Sequence, residues 1–364
     1  MSFSLARIAR VATVSIVTSL TLALAGCTPT PEPTPTPTVT VPEIVYETAP
    51  LTGLPFEQGT NPYLAGPVVM GKIDNSEPAR PQAGLNSTDI VFDEMVEGGI
   101  TRFLAVFHSQ LPERFGPLRS VRPMDPDIAQ QFGGIICYSG GQKVFVQMMK
   151  ATKLYNCNET GEQRGETMVR VTDRVAPHNL FVLAQTLQSQ HLDLAAPTQL
   201  WQYSERGANS TAGLTGALTN KFTVTFPQAE PSYTWDAASK MWLRWYGTDK
   251  HMDADAGTQV HAKNVVVCEV EVDHSYASHR YGNIPRTVLE GTGRGWVFTN
   301  GKYVQITWKK TSPRKRLQLL DANGAEVQLA PGNTWFELMP KGEGKLTVEK
   351  VKPSASPSPT KTDK

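Results

Sequence analysis

Three stretches in the first half of this 364-residue chain place ionisable side chains where they could do chemistry. The longest is Asp89-Ile90-Val91-Phe92-Asp93-Glu94-Met95-Val96-Glu97-Gly98-Gly99-Ile100-Thr101-Arg102-Phe103-Leu104-Ala105-Val106-Phe107-His108. Two alternating runs around Gly98-Gly99 predict a tight hairpin in which Val96 faces Thr101. One face then carries Ile90, Phe92, Glu94, Val96, Thr101, Phe103, Ala105 and Phe107, a core face with a lone carboxylate. Such a carboxylate is costly unless a cation meets it, and its proton affinity rises. Glu94 is therefore expected at the rim of a cleft or against a cation from elsewhere. The opposite face carries Asp93, Glu97 and Arg102, with Arg102 diagonal to both carboxylates. That cluster reads either as acid/base machinery or as cross-strand charges that steady the hairpin. In the second stretch, Gly116-Pro117-Leu118-Arg119-Ser120-Val121-Arg122, two guanidinium groups and a hydroxyl come just before Met124-Asp125-Pro126. There a helix start is predicted, with Asp125 as N-cap and Pro126 in the first turn. Arginine forks and free helical N–H groups suit carboxylate or phosphate, so this reads as an anion cradle. The alternative is that Arg119 pairs with Asp93 or Glu94 and ties the turn down. The third stretch is Arg174-Val175-Ala176-Pro177-His178-Asn179, where His178 is either a base or a capping residue. Asp74-Asn75 and Arg80-Pro81-Gln82 complete the set.

The elements that must hold these groups indicate an α+β protein. An N-terminal α/β-type domain is expected over residues 43–210, and a mostly antiparallel β domain over 225–350. In the first, residues 68–73 form an apolar strand, while 143–154 and 179–192 have helical spacing. In the second, residues 265–272 read as a strand. Residues 296–298 and 303–308 flank Asn300-Gly301, a two-residue hairpin signal; 317–320 and 327–329 flank Asn323-Gly324 in the same way, and 334–338 follow. Trp242, Trp245, Trp296, Trp308 and Trp335 are either core or a sugar-stacking platform. Asp253-Ala254-Asp255-Ala256-Gly257 reads as a turn, since it lacks the later glutamate of a calcium loop.

The composition is ordinary, 40% hydrophobic and 19% charged with a formal charge of +1, so no field recruits nucleic acid. Residues 1–26 read as an export signal, with Arg7 and Arg10 before an apolar run. It ends in Leu24-Ala25-Gly26-Cys27, which looks like a bacterial lipobox whose Cys27 sulfur takes a diacylglycerol. Residues 27–42, rich in Thr-Pro, prefer polyproline II and form a stiff tether; residues 351–364 form a Pro/Ser-rich tail. The expected location is the extracytoplasmic face of the bacterial cell membrane, with Cys27 holding the membrane. Disulfides persist there. Cys137 and Cys157 are the candidate pair, closing a loop of roughly 20 residues for about 3 kcal/mol. Cys268 reads as a buried thiol. No metal-ligand spacing or cofactor motif stands out.

Several motifs resemble those of the YerB-like bacterial lipoproteins: Arg80-Pro81-Gln82-Ala83-Gly84-Leu85, Glu97-Gly98-Gly99-Ile100-Thr101-Arg102-Phe103, Gly116-Pro117-Leu118-Arg119-Ser120-Val121-Arg122 and Ala176-Pro177-His178-Asn179. In the second half the likeness continues through Asn264-Val265-Val266-Val267, Thr307-Trp308-Lys309-Lys310 and Pro331-Gly332-Asn333-Thr334-Trp335. It implies a two-domain, lipid-anchored extracytoplasmic protein and carries over no catalytic residue. Two functions remain open. In one, Asp74, Arg102, Arg119, Ser120, Arg122, His178 and Asn179 bind an anionic or glycan wall component, or a wall-synthesis partner, so that the partner is a cell-wall polymer or an envelope protein. In the other, a wall-directed hydrolase or transferase uses Glu94 or Asp93 with His178 as acid and base.

Overall fold

The computed structural model describes residues 44–159, 166–277 and 282–351. The expected leader, Cys27, the tether and the tail beyond Val351 lie outside them. Strands dominate both halves, and the helices are short, so the fold is largely β rather than α/β in its first half. The strands that matter are β1 (Val69–Asp74), β2 (Ile90–Met95), β3 (Thr101–Phe107), β4 (Ile135–Tyr138), β5 (Tyr155–Asn158), β6 (Leu180–Val182), β7 (Lys221–Thr225), β8 (Pro231–Asp236), β9 (Met241–Tyr246), β10 (Asn264–Tyr276), β11 (Gly291–Thr299), β12 (Lys302–Lys310), β13 (Thr334–Pro340) and β14 (Lys345–Val348). Three helices bear on the site: α1 (Asp125–Ala129), α2 (Lys143–Lys150) and α3 (Ala184–Ser189).

One twelve-stranded sheet crosses the molecule in the order β12-β11-β10-β13-β2-β3-β1-β4-β5, with shorter strands at its margins. Both sequence regions contribute to it. Their junction is β13, which runs parallel to β10 on one side and to β2 on the other. The second region is mostly antiparallel, as expected, with β13 as the exception. A second sheet, containing β9-β8-β7-β14, packs over one face. Both faces of the large sheet are covered. Ile90, Phe92, Leu104, Val106, Phe145 and Phe336 share one core, and Val91, Phe103, Ala105, Phe222, Trp242 and Trp335 share the other. A strand buried on both sides reads as a continuous apolar run. That is why β2 and β3 have no solvent face.

The hairpin differs from expectation by one position. Its loop has three residues, Glu97-Gly98-Gly99, and the Val96 N–H donates to the Ile100 carbonyl at 2.8 Å. Gly98 and Gly99 both sit at φ +74°, which glycine adopts without penalty. Met95 consequently faces Thr101, Glu94 faces Arg102 and Asp93 faces Phe103. A one-residue slip exchanges faces. Arg102 therefore joins Glu94, and Asp93 lies on the opposite side with Phe103.

Other expectations shift for local reasons. Residues 179–192 begin as β6, whose Leu180 carbonyl accepts from the Leu118 N–H, and turn helical only at α3. The helix at 143 stops at Lys150. Asn300-Gly301 closes β11 on β12 with both residues at positive φ, as the hairpin signal requires. Asn323-Gly324 also reverses the chain, though in a wider turn: the Asp321 N–H donates to the Ala325 carbonyl at 2.8 Å, the Val327 N–H to the Leu319 carbonyl at 2.9 Å, and Leu320 bridges Glu326, while Gln318–Leu320 also pairs with β12 and Gln328–Leu329 with Gln202–Tyr203. The Cys137–Cys157 disulfide is not formed. The two face each other across parallel strands β4 and β5 as buried free thiols, hydrogen-bonded to one another. Cys268 is also a buried thiol. Trp242, Trp308 and Trp335 are core. Asp253 is a turn anchor whose carboxylate accepts from the N–H groups of Gly84, Asn86, Asp255 and Ala256.

Candidate functional site

A hollow of about 420 Å³ opens where β1, β2 and β3 end, lined by Glu97, Ile100, Arg102, Arg119, Ser120, Arg122, Gly141 and Gln142. Three segments build it. The hairpin contributes Glu97 and Arg102. The segment after β3 returns across the strand ends, pinned by the Arg119 N–H on the Lys72 carbonyl at 2.8 Å and by the Val121 N–H on Gly140 at 3.0 Å. The turn before α2 closes the third side, with the Ser139 N–H on the Arg119 carbonyl at 3.0 Å.

Three guanidinium groups and one carboxylate face this space. Arg122 holds Glu97 at 2.6 Å and donates to the carbonyls of Ser120 and Val121. Burial opposes ionisation of Glu97, but Arg122 outweighs it and keeps the carboxyl below its ordinary range. Arg119 pairs with Asp74 at 3.0 Å, and the same Asp74 oxygen meets His178 Nδ1 at 2.8 Å. Burial works against the Asp74 charge as well, yet the Ser76 N–H and Arg119 hold that carboxyl low. Arg102 is different. It stands in register between Asp74 and Glu94, each a carboxylate and each engaged elsewhere. Its Nη1 donates to the Ser120 carbonyl at 3.0 Å, and its buried Nε has no partner. Only 7% exposed, it is pushed down to about 10 by burial and by neighbouring Arg122.

Beneath the hollow lies a sealed ion cluster. Lys72 pairs with Glu94 and, at 2.8 Å, with Asp125, all fully buried. Burial pushes Lys72 down to about 8 despite Asp125. The other Asp125 oxygen accepts the Arg122 N–H at 2.5 Å, so Asp125 braces the arginine turn instead of capping α1, whose N-cap is Met124. The five-residue α1 thus presents an acid where the sequence suggested open N–H groups.

On the far side of the sheet, Asp93 belongs to another network. Arg244 from β9 meets Asp93 at 2.5 Å and Glu337 at 3.5 Å, and donates to the hydroxyls of Tyr233 and Tyr246. It also donates to His251 Nδ1 at 3.0 Å, which leaves His251 Nε2–H to donate to Gln82 at 2.8 Å. Burial and Arg244 hold His251 neutral, well below its ordinary range. Asp93 and Glu337 are neighbours in register on β2 and β13, and both are raised by burial, Glu337 to about 8 with Asp93 adding to the effect.

Of the residues singled out by sequence, Arg102, Arg119, Ser120 and Arg122 therefore line one hollow, and Asp74 and His178 stand directly behind Arg119. Glu94 is sealed under it by Lys72, and Arg119 pairs with Asp74 rather than with Asp93 or Glu94. Asp93 is across the sheet. The Asn179 side chain is taken up by Arg170 and by the Val171 carbonyl. Sequence reasoning passed over Lys72, Arg244, Glu337, Gly141 and Gln142. The first three share a signal, a lone ionisable residue inside an apolar run: Val-Met-Gly-Lys72-Ile, Met-Trp-Leu-Arg244-Trp-Tyr and Trp-Phe-Glu337-Leu.

Comparison with known proteins agrees with this architecture. Residues 51–196 match the N-terminal domain of a family described as a protein of unknown function, DUF3048, and residues 222–336 match that family's C-terminal domain. A Bacillus subtilis (strain 168) protein, YerB, described as a candidate lipoprotein, is 27% identical over 316 residues, covering 81% of this chain and 89% of its own. The crystal structure of YerB from Bacillus subtilis superposes with a TM-score of 0.69 at 23% identity, covering 83% of this chain and 99% of that one. The chain belongs to the YerB-like family.

Proposed function

We propose that this YerB-like protein is lipid-anchored through Cys27 on the extracytoplasmic face of the bacterial membrane, and that its arginine hollow binds an anionic component of the envelope. The Leu24-Ala25-Gly26-Cys27 motif and the lipoprotein description of YerB support the anchor. The binding reading rests on one observation: among the described residues, Arg102 is a buried cation with an unpartnered Nε and no carboxylate at ion-pairing distance. Burying a charge without a counter-ion is costly, and an anion entering the hollow that Arg102 borders supplies that counter-charge. Arg119 and Arg122 stand beside it with forks suited to planar or tetrahedral oxyanions.

A hydrolase built on Asp93 or Glu94 has less support. Both are fully buried, on opposite faces of the sheet, and each is already paired. A general acid must reach the proton it moves.

The test compares retention of the full lipidated protein on an anionic wall polymer with that of the Arg102→Gln and Arg119→Gln double variant. At least a tenfold loss is expected, with no change on a neutral glycan. Equal retention of the two proteins would overturn the reading.

A further inference from the structure

We infer that the group held in the arginine hollow is phosphoryl, seated between the guanidinium groups and the open N–H groups at the start of α2; this rests on the reading of the hollow as an anion site. The chain enters α2 through Ser139-Gly140-Gly141-Gln142, with Gly140 at φ +87° and Gly141 at φ +157°. A side chain at Gly141 would crowd Val121, whose Cγ2 and carbonyl oxygen lie 3.0 and 3.3 Å from where its Cβ would be. Glycine there lets the turn lie close against the arginine segment. Gln142 is the N-cap, in extended geometry, and its side chain makes no capping hydrogen bond.

The N–H groups of the first turn, at Lys143 and Val144, find no acceptor among the described residues. Nor does that turn contain an acidic residue; it carries Lys143, while Lys150 sits in the last turn. A helix start favours negative charge. Here the chain supplies none, and a bound anion would answer the deficit. Arg102, nine-tenths buried and with Nε unpartnered, lines the same hollow and points independently to such an anion.

The number and directions of the donors select the chemistry. A carboxylate has two oxygens in one plane, and a single arginine fork satisfies it. Here guanidinium groups come from three positions, residues 102, 119 and 122, and the start of α2 borders the same hollow through Gly141 and its N-cap Gln142. Donors converging from several sides match three terminal oxygens arranged tetrahedrally, carrying close to two negative charges at neutral pH. One carboxylate, Glu97, shares the hollow and is already held by Arg122. The volume of about 420 Å³ leaves room for the group that bears the phosphate.

The experiment is calorimetric titration of the full mature chain in detergent micelles, at fixed ionic strength, with inorganic phosphate, glycerol 3-phosphate and acetate. Phosphate and glycerol 3-phosphate should bind at least tenfold more tightly than acetate. Gln142→Asp places a capping carboxylate on the open N–H groups. This exposed change should leave the melting temperature unchanged or higher while weakening phosphate at least tenfold. Binding to glycerol 3-phosphate without binding to phosphatidate-bearing vesicles assigns the phosphate to a soluble or polymer source; binding to the vesicles as well assigns a lipid headgroup. Acetate binding as tightly as phosphate, or Gln142→Asp binding phosphate like wild type, would overturn the phosphoryl assignment and leave the anion hollow standing. Failure of wild type to bind any of these anions would overturn both.

Discussion

Arg102 and Arg244 lie against opposite faces of the same sheet, and both are buried, but their surroundings were built to different ends. Arg244 is enclosed by two carboxyl groups, two tyrosine hydroxyls and a neutral histidine, with no opening to solvent. Arg102 has carboxylates on both neighbouring strands, yet Lys72 and Arg119 engage them first, and its side chain borders a hollow. A buried arginine with all its donors met holds two layers together. One left short of partners beside a cavity is a receptor. Residue type and burial do not distinguish these cases; the accounting of donors and acceptors does.

The sharpest way to break that contrast is to remove each cation in turn. Arg244→Met should cost about 3–5 kcal/mol in urea unfolding, because the proton-sharing Asp93–Glu337 pair is left buried without its counter-ion. Arg102→Gln should cost about 1 kcal/mol or less, since no buried carboxylate loses its partner. Equal costs for the two would erase the distinction between them.

The pH response sharpens it next. Burial raises the Glu337 carboxyl to about 8, against about 4.5 when unfolded, so the folded protein holds a proton that the unfolded chain has released. This contribution to stability is fully present below about pH 4.5 and is lost as pH rises through about 8, with a slope of at most about 1.4 kcal/mol per pH unit. Urea unfolding of wild type and Glu337→Gln across that window should show a shallower decline in the variant. Parallel curves would mean that the Asp93–Glu337 pair does not titrate there.

The smallest expected effect concerns Glu97. Glu97→Gln frees Arg122 and removes the only carboxylate facing the hollow among the described residues. Anion affinity should rise severalfold. Weaker binding would show that Glu97 orients Arg122 for the ligand and does not compete with it.

Strand positions and the Asn300-Gly301 turn were legible in the sequence because they follow from local backbone chemistry. The hairpin face was not. Gly98-Gly99 suggests a two-residue loop, and only the third loop residue, Glu97, decides whether Arg102 shares a face with Asp93 or with Glu94. The anomaly of Glu94 in an apolar run was visible, as was its need for a cation. Its partner was hidden because Lys72 sits one strand beyond β3 and reaches Glu94 only once β1, β3 and β2 are aligned. The same limit conceals Arg244 and Glu337, whose meeting depends on how two sheets stack. Arg119, Ser120 and Arg122 could be found because a short, continuous stretch carries them to one place.

The placement of β13 bears on how the molecule comes to be assembled. A strand from near the end of the chain occupies the middle of the large sheet, between β10 and β2. A polypeptide delivered N-terminus first must therefore present β2 with a vacant edge, and Asp93 without Glu337, for the whole time taken to produce some 240 further residues. Such an edge invites mispairing, so successful maturation depends on that late segment arriving before a stranger does.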